Sequence, residues 1–387
     1  MRRVCEKALL LIAALAIVAS TSDPSSAQMM GRENASAKKK HTAYVQTNLV
    51  SDGTVTANTV DPNLKNPWGL AFFPGLSPFW VADNNGFVST LYDGMGVPFP
   101  PPPAPMPLVV NIPLPNGPTG GAPSGLVANI FAGNTTVTFP TPGTGKPSLF
   151  LFDTEDGTVV AWNTALADLT HAVIAVDNSS NPTAAAGAVY KGLAIAANGH
   201  GAPQLYATNF RSGKIDVFDS NFMPVTLSTG AFTDSNLPKG FAPFGIQSVV
   251  GNLWVTYARQ DKAKHDPINK PAHGVVDIFD TDGNMIQRFA THGHLDSPWG
   301  VTIAPSTFGE FANDFLIGNF GDGKINAYDS KGKFEGTLRD GKHKTIVNES
   351  LWALSFGGAL NSSVKTLYFT AGLHMEKNGV FGAINPK

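Results

Sequence analysis

NPWGL at 66–70 returns as SPWGV at 297–301 and, more loosely, as LWALS at 351–355. Each copy places a tryptophan and a small residue ahead of a short apolar run. Outward from these copies, the same run is found six times: WGLAF (68–72), SGLVA (124–128), KGLAI (191–195), FGIQS (244–248), WGVTI (299–303) and WALSF (352–356). A second apolar stretch follows each: FWVADN (79–84), LFLFDT (149–154), LYATNF (205–210), LWVTYA (253–258), FLIGNF (315–320) and LYFTAG (367–372). A third opens on glycine and closes on an aromatic and Asp or Asn: GFVSTLYD (86–93), GTVVAWN (157–163), GKIDVFD (213–219), GVVDIFD (274–280), GKINAYD (323–329) and, more weakly, GVFGAIN (379–385).

A looser fourth stretch follows copies one to five: PLVVNIP (107–113), HAVIAVD (171–177), PVTLSTG (224–230), MIQRFA (285–290) and FEGTLRD (334–340). After copy six only PK remains, so the missing strand is sought at the other end, in YVQTNLVSD (44–52). Units of roughly 53–67 residues, each a four-stranded meander, describe a repeat architecture rather than two or three unrelated domains. The expected fold is an all-β, six-bladed propeller over 44–387, with the N-terminal strand closing the last blade. Radial closure removes exposed sheet edges.

Composition agrees. Charged residues make up 14% of the 387 residues, net charge is -2, and the 40 glycines and 29 prolines follow no collagen-like period. Basic clustering of the kind that nucleic acid requires is absent. Arg2, Arg3 and Lys7 precede the apolar stretch ALLLIAALAIVA (8–19), a pattern that predicts a signal peptide over 1–27, cleaved after Ala27 or near Ser20. Cys5, the single cysteine, lies inside that leader, so the mature chain is expected to have no disulfide and no thiolate site. Residues 28–43 form a polar lead-in. With no second long apolar run, the product is expected to be exported, periplasmic or extracellular, without a membrane span, and monomeric.

The segments DPNLKNPWGLAF, SPFWVADN, TEDGTVVAWN, LYATNFRSGKIDVFD and SPWGVTIAPSTFGEF resemble NHL-type propellers. They resemble more closely an uncharacterised family of exported bacterial propellers, some of which end in a PEP-CTERM sorting tail. The resemblance runs from about residue 44 to 384 and implies the fold, but no particular activity. Because the sequence closes on AINPK, attachment by such a tail is not expected. Gluconolactonase-type propellers place a calcium-ligating Asn before the glycine of an inner strand. Here that slot holds Trp68, Ser124, Lys191, Phe244 and Trp299, with Trp352 ahead of Ala353. The departure counts against a calcium lactonase of that kind.

In a propeller the start of each inner strand and the end of the second strand share a face. Trp68, Phe244, Trp299, Trp352 and Lys191 would then rim the channel mouth and hold a glycan, peptide or small molecule. Alternatively the aromatic rings wedge between blades as core. The second-strand ends bring Asp83, Asp153, Asn209 and Asn319 to that face, with Asn84 and Glu155 close by. Such an oxygen ring would suit calcium; the competing reading is that these side chains satisfy hairpin backbone groups. The loop RQDKAKHDPINKPAH (259–273) adds Asp261, His265, Asp266 and His273. His292, His294, His374 and Glu376 lie in neighbouring loops. These could bind zinc or copper or supply a general base, or serve only as solvated loop polarity. VPFPPPPAPMP (97–107) is expected to be a stiff spacer. Sequons begin at Asn34, Asn134, Asn178, Asn348 and Asn361. The balance favours a binding or scaffold propeller, with a metal-dependent hydrolase or lyase on the same face as the alternative.

Overall fold

The computed structural model describes residues 41–101 and 106–387. The expected leader (1–27), nearly all of the lead-in and the middle of the proline stretch lie outside the described residues. Among the described residues no helix is long and apolar enough to cross a membrane.

Six antiparallel sheets follow one another around a central axis. Their inner strands are Pro67–Ala71, Pro123–Ala128, Tyr190–Ala197, Phe241–Val249, Pro298–Ile303 and Leu351–Phe356. Blades 1, 2, 4 and 5 have four strands each. Blade 6 is closed by Tyr44–Ser51, which pairs antiparallel with Asn378–Pro386 from Tyr44↔Pro386 to Ser51↔Val380. Thr59–Val60 lies parallel on its outer edge. The first strand thus zips the ring shut, and Tyr44 buries its ring against Phe308 and Phe311 of blade 5.

Blade 3 departs from the expected meander and has three strands. PVTLSTG makes only an isolated bridge, Phe218↔Pro224. Val225 N–H donates to the Val217 carbonyl (2.8 Å) and Val225 and Leu227 pack on the blade, but Pro224 has no N–H to give and the residues after Leu227 are exposed, so the ladder does not extend.

The Trp-Gly step has a local cause. In all six blades the inner strand slips register at that step: Pro67/Leu70, Pro123/Leu126, Tyr190/Leu193, Pro243/Ile246, Pro298/Val301 and Leu351/Leu354. A bulge takes backbone groups out of the ladder. Second-strand side chains satisfy them: Gly245 N–H donates to Thr256 Oγ1 (2.9 Å) and Ala353 N–H to Thr370 Oγ1 (3.0 Å). The same kind of hydroxyl reaches the next blade. Thr208 Oγ1 donates to the Phe244 carbonyl (2.9 Å) and Thr370 Oγ1 to that of Trp68 (2.6 Å). Glycine is needed because neighbouring backbones approach so closely. A Cβ at Gly300 would lie 2.5 Å from the Trp352 carbonyl, and one at Gly69 2.8 Å from that of Ser124.

Candidate functional site

The aromatic residues expected at the mouth meet one another on the axis. Trp68 and Trp352 stack with ring centroids 3.5 Å apart. Trp299 sits edge-on to both, at 6.3 and 5.8 Å. Phe320 covers the Trp352 ring at 4.2 Å, and Phe244 flanks it at 5.8 Å. All are buried; Trp68 and Trp352 keep 2% and 1% of their surface exposed. The rings therefore form a septum across the channel and leave almost no free face for stacking. The Trp299 indole N–H donates to the Lys191 carbonyl (2.7 Å) and that of Trp352 to Asn66 Oδ1 (2.9 Å). The Trp68 N–H is buried without an acceptor.

On one side of the septum lies a well of about 500 Å³, walled by Leu70, Leu126, Leu193, Ile246, Val301 and Leu354. On the other side is a polar mouth centred on Lys191, which is only 1% exposed. Its ammonium pairs with the Glu155 carboxylate and with Asp266 Oδ1 (3.2 Å), and it stands 5.3 Å from the centre of the Trp68 ring. Asn84 Nδ2 donates to the second oxygen of Glu155 (2.9 Å). Asn66 Nδ2 donates to Asn84 Oδ1 (3.3 Å) and to Glu376 Oε2 (2.9 Å). On the far side, His265 Nδ1 is 2.9 Å from Asp266 Oδ1. One hydrogen-bonded chain thus joins side chains of blades 6, 1, 2, 3 and 4.

Burial sets the electrostatics. It pulls the Lys191 ammonium down, but the Glu155 and Asp266 charges outweigh it and hold the group above the ordinary lysine value. The hydrogen bond from His265 holds Asp266 well below the usual carboxylate range and lifts His265 above an ordinary imidazole. Glu376 is pushed up to about 7, chiefly by burial, with the Glu155 and Asp266 charges adding and Lys191 opposing.

Glu376 is delivered by an unusual hairpin. His374, Met375 and Glu376 have φ of 53°, 56° and 65°, three consecutive non-glycine residues in the left-handed region. Such backbone costs on the order of 1–3 kcal/mol per residue and persists only where its surroundings enforce it. Here the Glu349 carboxylate accepts the His374 N–H (3.1 Å) and the Met375 N–H (2.8 Å), and Asn85 Nδ2 donates to the Glu376 carbonyl (2.7 Å).

The second-strand residues do something different. Asp83 Oδ2 accepts from Thr90 N (3.0 Å) and Oγ1 (2.7 Å). Asp153 Oδ1 accepts from Ser124 Oγ (2.8 Å) and Gly125 N–H (2.5 Å). Asn209 donates to Asp216 (3.0 Å) and Asn319 to the His294 carbonyl (2.8 Å). Each turns to its own blade, whereas Glu155 alone of the expected oxygen ring faces Lys191. Burial raises Asp83 well above the usual range and Asp153 to about 7.

Among the described residues, Glu155, His265 and Asp266 offer metal-ligand atoms within 4.8 Å of one another. The Lys191 ammonium already bridges the two carboxylates, so a divalent ion would have to displace it. Of the other loop residues, His292 faces the Ala272 carbonyl (2.9 Å), His294 stacks on Phe334 (3.6 Å) and His374 faces Asn378 (3.0 Å). Asn66 was not legible as a site residue. Its signal is positional: Asn66, Ser297 and Ser350 share left-handed φ of 46°, 46° and 49° just before an inner strand, and only Asn66 carries an amide.

Fold and site together define a six-bladed β-propeller whose channel is divided into a charged mouth and a blind well. The chain is 30% identical over 341 residues to uncharacterized protein R648 of Acanthamoeba polyphaga mimivirus, covering 87% of this chain and 78% of that one, and it belongs to that family. Uncharacterized protein L690 of the same virus is 28% identical over 342 residues, 87% and 84% of the two chains. These relatives are viral, so the bacterial origin expected from the resemblance finds no support in them. No family model matches the chain. Among solved structures, the apo aldose sugar dehydrogenase of Escherichia coli superposes with TM-score 0.52 at 12% identity, covering 89% of this chain and all of that one. At that identity the likeness concerns the fold alone. Virginiamycin B lyase from Staphylococcus aureus superposes at 0.46, with 12% identity and 89% and 99% coverage.

Proposed function

We propose that this chain is an exported binding propeller that takes a hydroxyl-rich molecule, a sugar or glycan, at the polar mouth. The observation that carries the reading is Lys191. It is a buried ammonium held by carboxylates from two other blades, in line with the Asn66 and Asn84 amides. Burying such a charge is costly, and a core of apolar side chains would have been as stable without it. The mouth alternates donors and acceptors, and sugar hydroxyls do both. Glu155 and Asp266 outnumber the fixed positive charge of Lys191, which disfavours polyanions. With the Trp rings occupied by one another, recognition rests on hydrogen bonds.

The test is retention on a glycan array followed by calorimetry with the sugar retained. Wild type is expected to bind, and Lys191→Met to lose binding. Because that variant strips Glu155 of its countercharge, Asp266→Asn at the half-exposed loop is run beside it and should weaken binding while the protein stays folded. Absence of retention by wild type, or unchanged affinity in both variants, overturns the reading.

A further inference from the structure

We propose that the polar mouth also cleaves a glycosidic bond, with His265 as general base and Glu376 as general acid. This inference rests on the sugar-binding reading above and adds a reaction to it.

Two residues on different loops are built for proton transfer. His265 points Nδ1 at Asp266 Oδ1 (2.9 Å), and Asp266 is itself tied to Lys191 (3.2 Å). A carboxylate on Nδ1 makes that nitrogen the donor and leaves Nε2 as a lone-pair acceptor. The loop that carries the histidine is fixed locally, since the His265 N–H donates to Asp261 Oδ1 (2.8 Å). Glu376 arrives on the strained turn of blade 6. Its carboxyl is oriented by Asn66, which the Trp352 indole locks in turn. Strain at three successive residues, enforced by Glu349 and Asn85, places this one carboxyl beside the charged cluster. Burial supports the proton-donor role, since the group stays protonated into the neutral range.

The charge balance selects the reaction. In the reactive form Glu376 holds its proton and His265 has given up the one that its pairing with Asp266 favours, so Glu155 and Asp266 face the single charge of Lys191. A glycosyl centre gains positive charge as its exocyclic C–O bond breaks, and a net-negative mouth stabilises that charge. The step balances without a further reagent. A water oxygen bonds to the anomeric carbon while its proton passes to His265 Nε2. The bond from that carbon to the leaving oxygen breaks, and its electron pair takes the Glu376 proton. Solvent then carries the imidazolium proton to the Glu376 carboxylate. The products are a free sugar and an alcohol.

The probes are a 2,4-dinitrophenyl glycoside and a methyl glycoside of whichever sugar the array retains, assayed with the full chain. Wild type is expected to hydrolyse both. Glu376→Gln should lose about 10²–10⁴-fold on the methyl glycoside and far less on the dinitrophenyl one, whose leaving group needs no proton. His265→Asn should lose activity on both, with partial rescue by azide in place of activated water. A merely structural role for Glu376 would depress both substrates equally, and that outcome overturns the assignment. Sugar retained by wild type with neither glycoside cleaved overturns this inference and leaves binding intact. No retention at all overturns the binding reading first. Circular-dichroism melts of each variant show whether it folds, and Glu376→Asp serves if the Gln variant does not.

Discussion

The two ends of the channel are made by the same six inner strands and come out as chemical opposites. Toward the well, the strands present Leu70, Leu126, Leu193, Ile246, Val301 and Leu354, and the repeat is obeyed almost residue for residue. Toward the mouth, the slot before each glycine holds Trp68, Ser124, Lys191, Phe244 and Trp299. Three members of that slot, with Trp352, make the septum; one member, Lys191, makes the charged cluster. Repetition builds the scaffold, and the place where one copy breaks the pattern carries the chemistry.

Breaking the septum should cost most. Trp352→Ala removes the ring that contacts Trp68, Trp299, Phe244 and Phe320 and is expected to cost about 3–5 kcal/mol, read as a large fall in melting temperature. An unshifted melt would mean that the septum is not core. Next comes the mouth. Lys191→Met leaves Glu155 without its partner, and breaking a buried pair costs about 3–5 kcal/mol at most. Adding Glu155→Gln should recover much of that loss. If the double variant melts no higher than the single, the Lys191–Glu155 pair is not the source of the cost.

Asp153 sharpens the contrast through pH. Its folded value of about 7 lies above the ordinary aspartate range, because burial opposes the charge. The folded state therefore holds the proton more tightly than the unfolded one. That contribution is complete below pH 4 and is lost as pH rises through 7. Asp153→Asn should flatten the decline in stability between those limits; an unchanged slope in denaturant melts would remove Asp153 as its source. Asp266→Asn is expected to move stability by less than about 1 kcal/mol, since the carboxylate is largely exposed, while still altering sugar affinity. The smallest effect expected is that of chelation. Lys191 already occupies the place between Glu155 and Asp266, so EDTA should leave the melt unchanged, and a drop would show a resident metal.

Much of this molecule was legible in one dimension because a repeat announces itself six times over. The glycine step, the strand order and the closing role of YVQTNLVSD all follow from copies that must pack against one another. The fourth strand of blade 3 stops at one bridge, Phe218↔Pro224, because Pro224 has no N–H and the residues after Leu227 are exposed. The site was legible only in fragments. Lys191, Glu155, His265, Asp266 and Glu376 each stood out as a residue type, yet nothing in their spacing tied them into one network. Asp83 and Asp153 looked like ligands of a common ion, and the fold turned each to its own blade.

By itself the sequence determined the number of sectors, the close backbone approach at each glycine and the supply of aromatic rings to the axis. Those are consequences of local pattern and of burying apolar surface. Only the tertiary structure decided that the rings satisfy one another, that a lysine of blade 3 meets carboxylates of blades 2 and 4, and that a strained turn of blade 6 brings a carboxyl to the same mouth. Side-chain encounters between loops far apart in the chain depend on how the blades are seated around the ring, which no local pattern encodes.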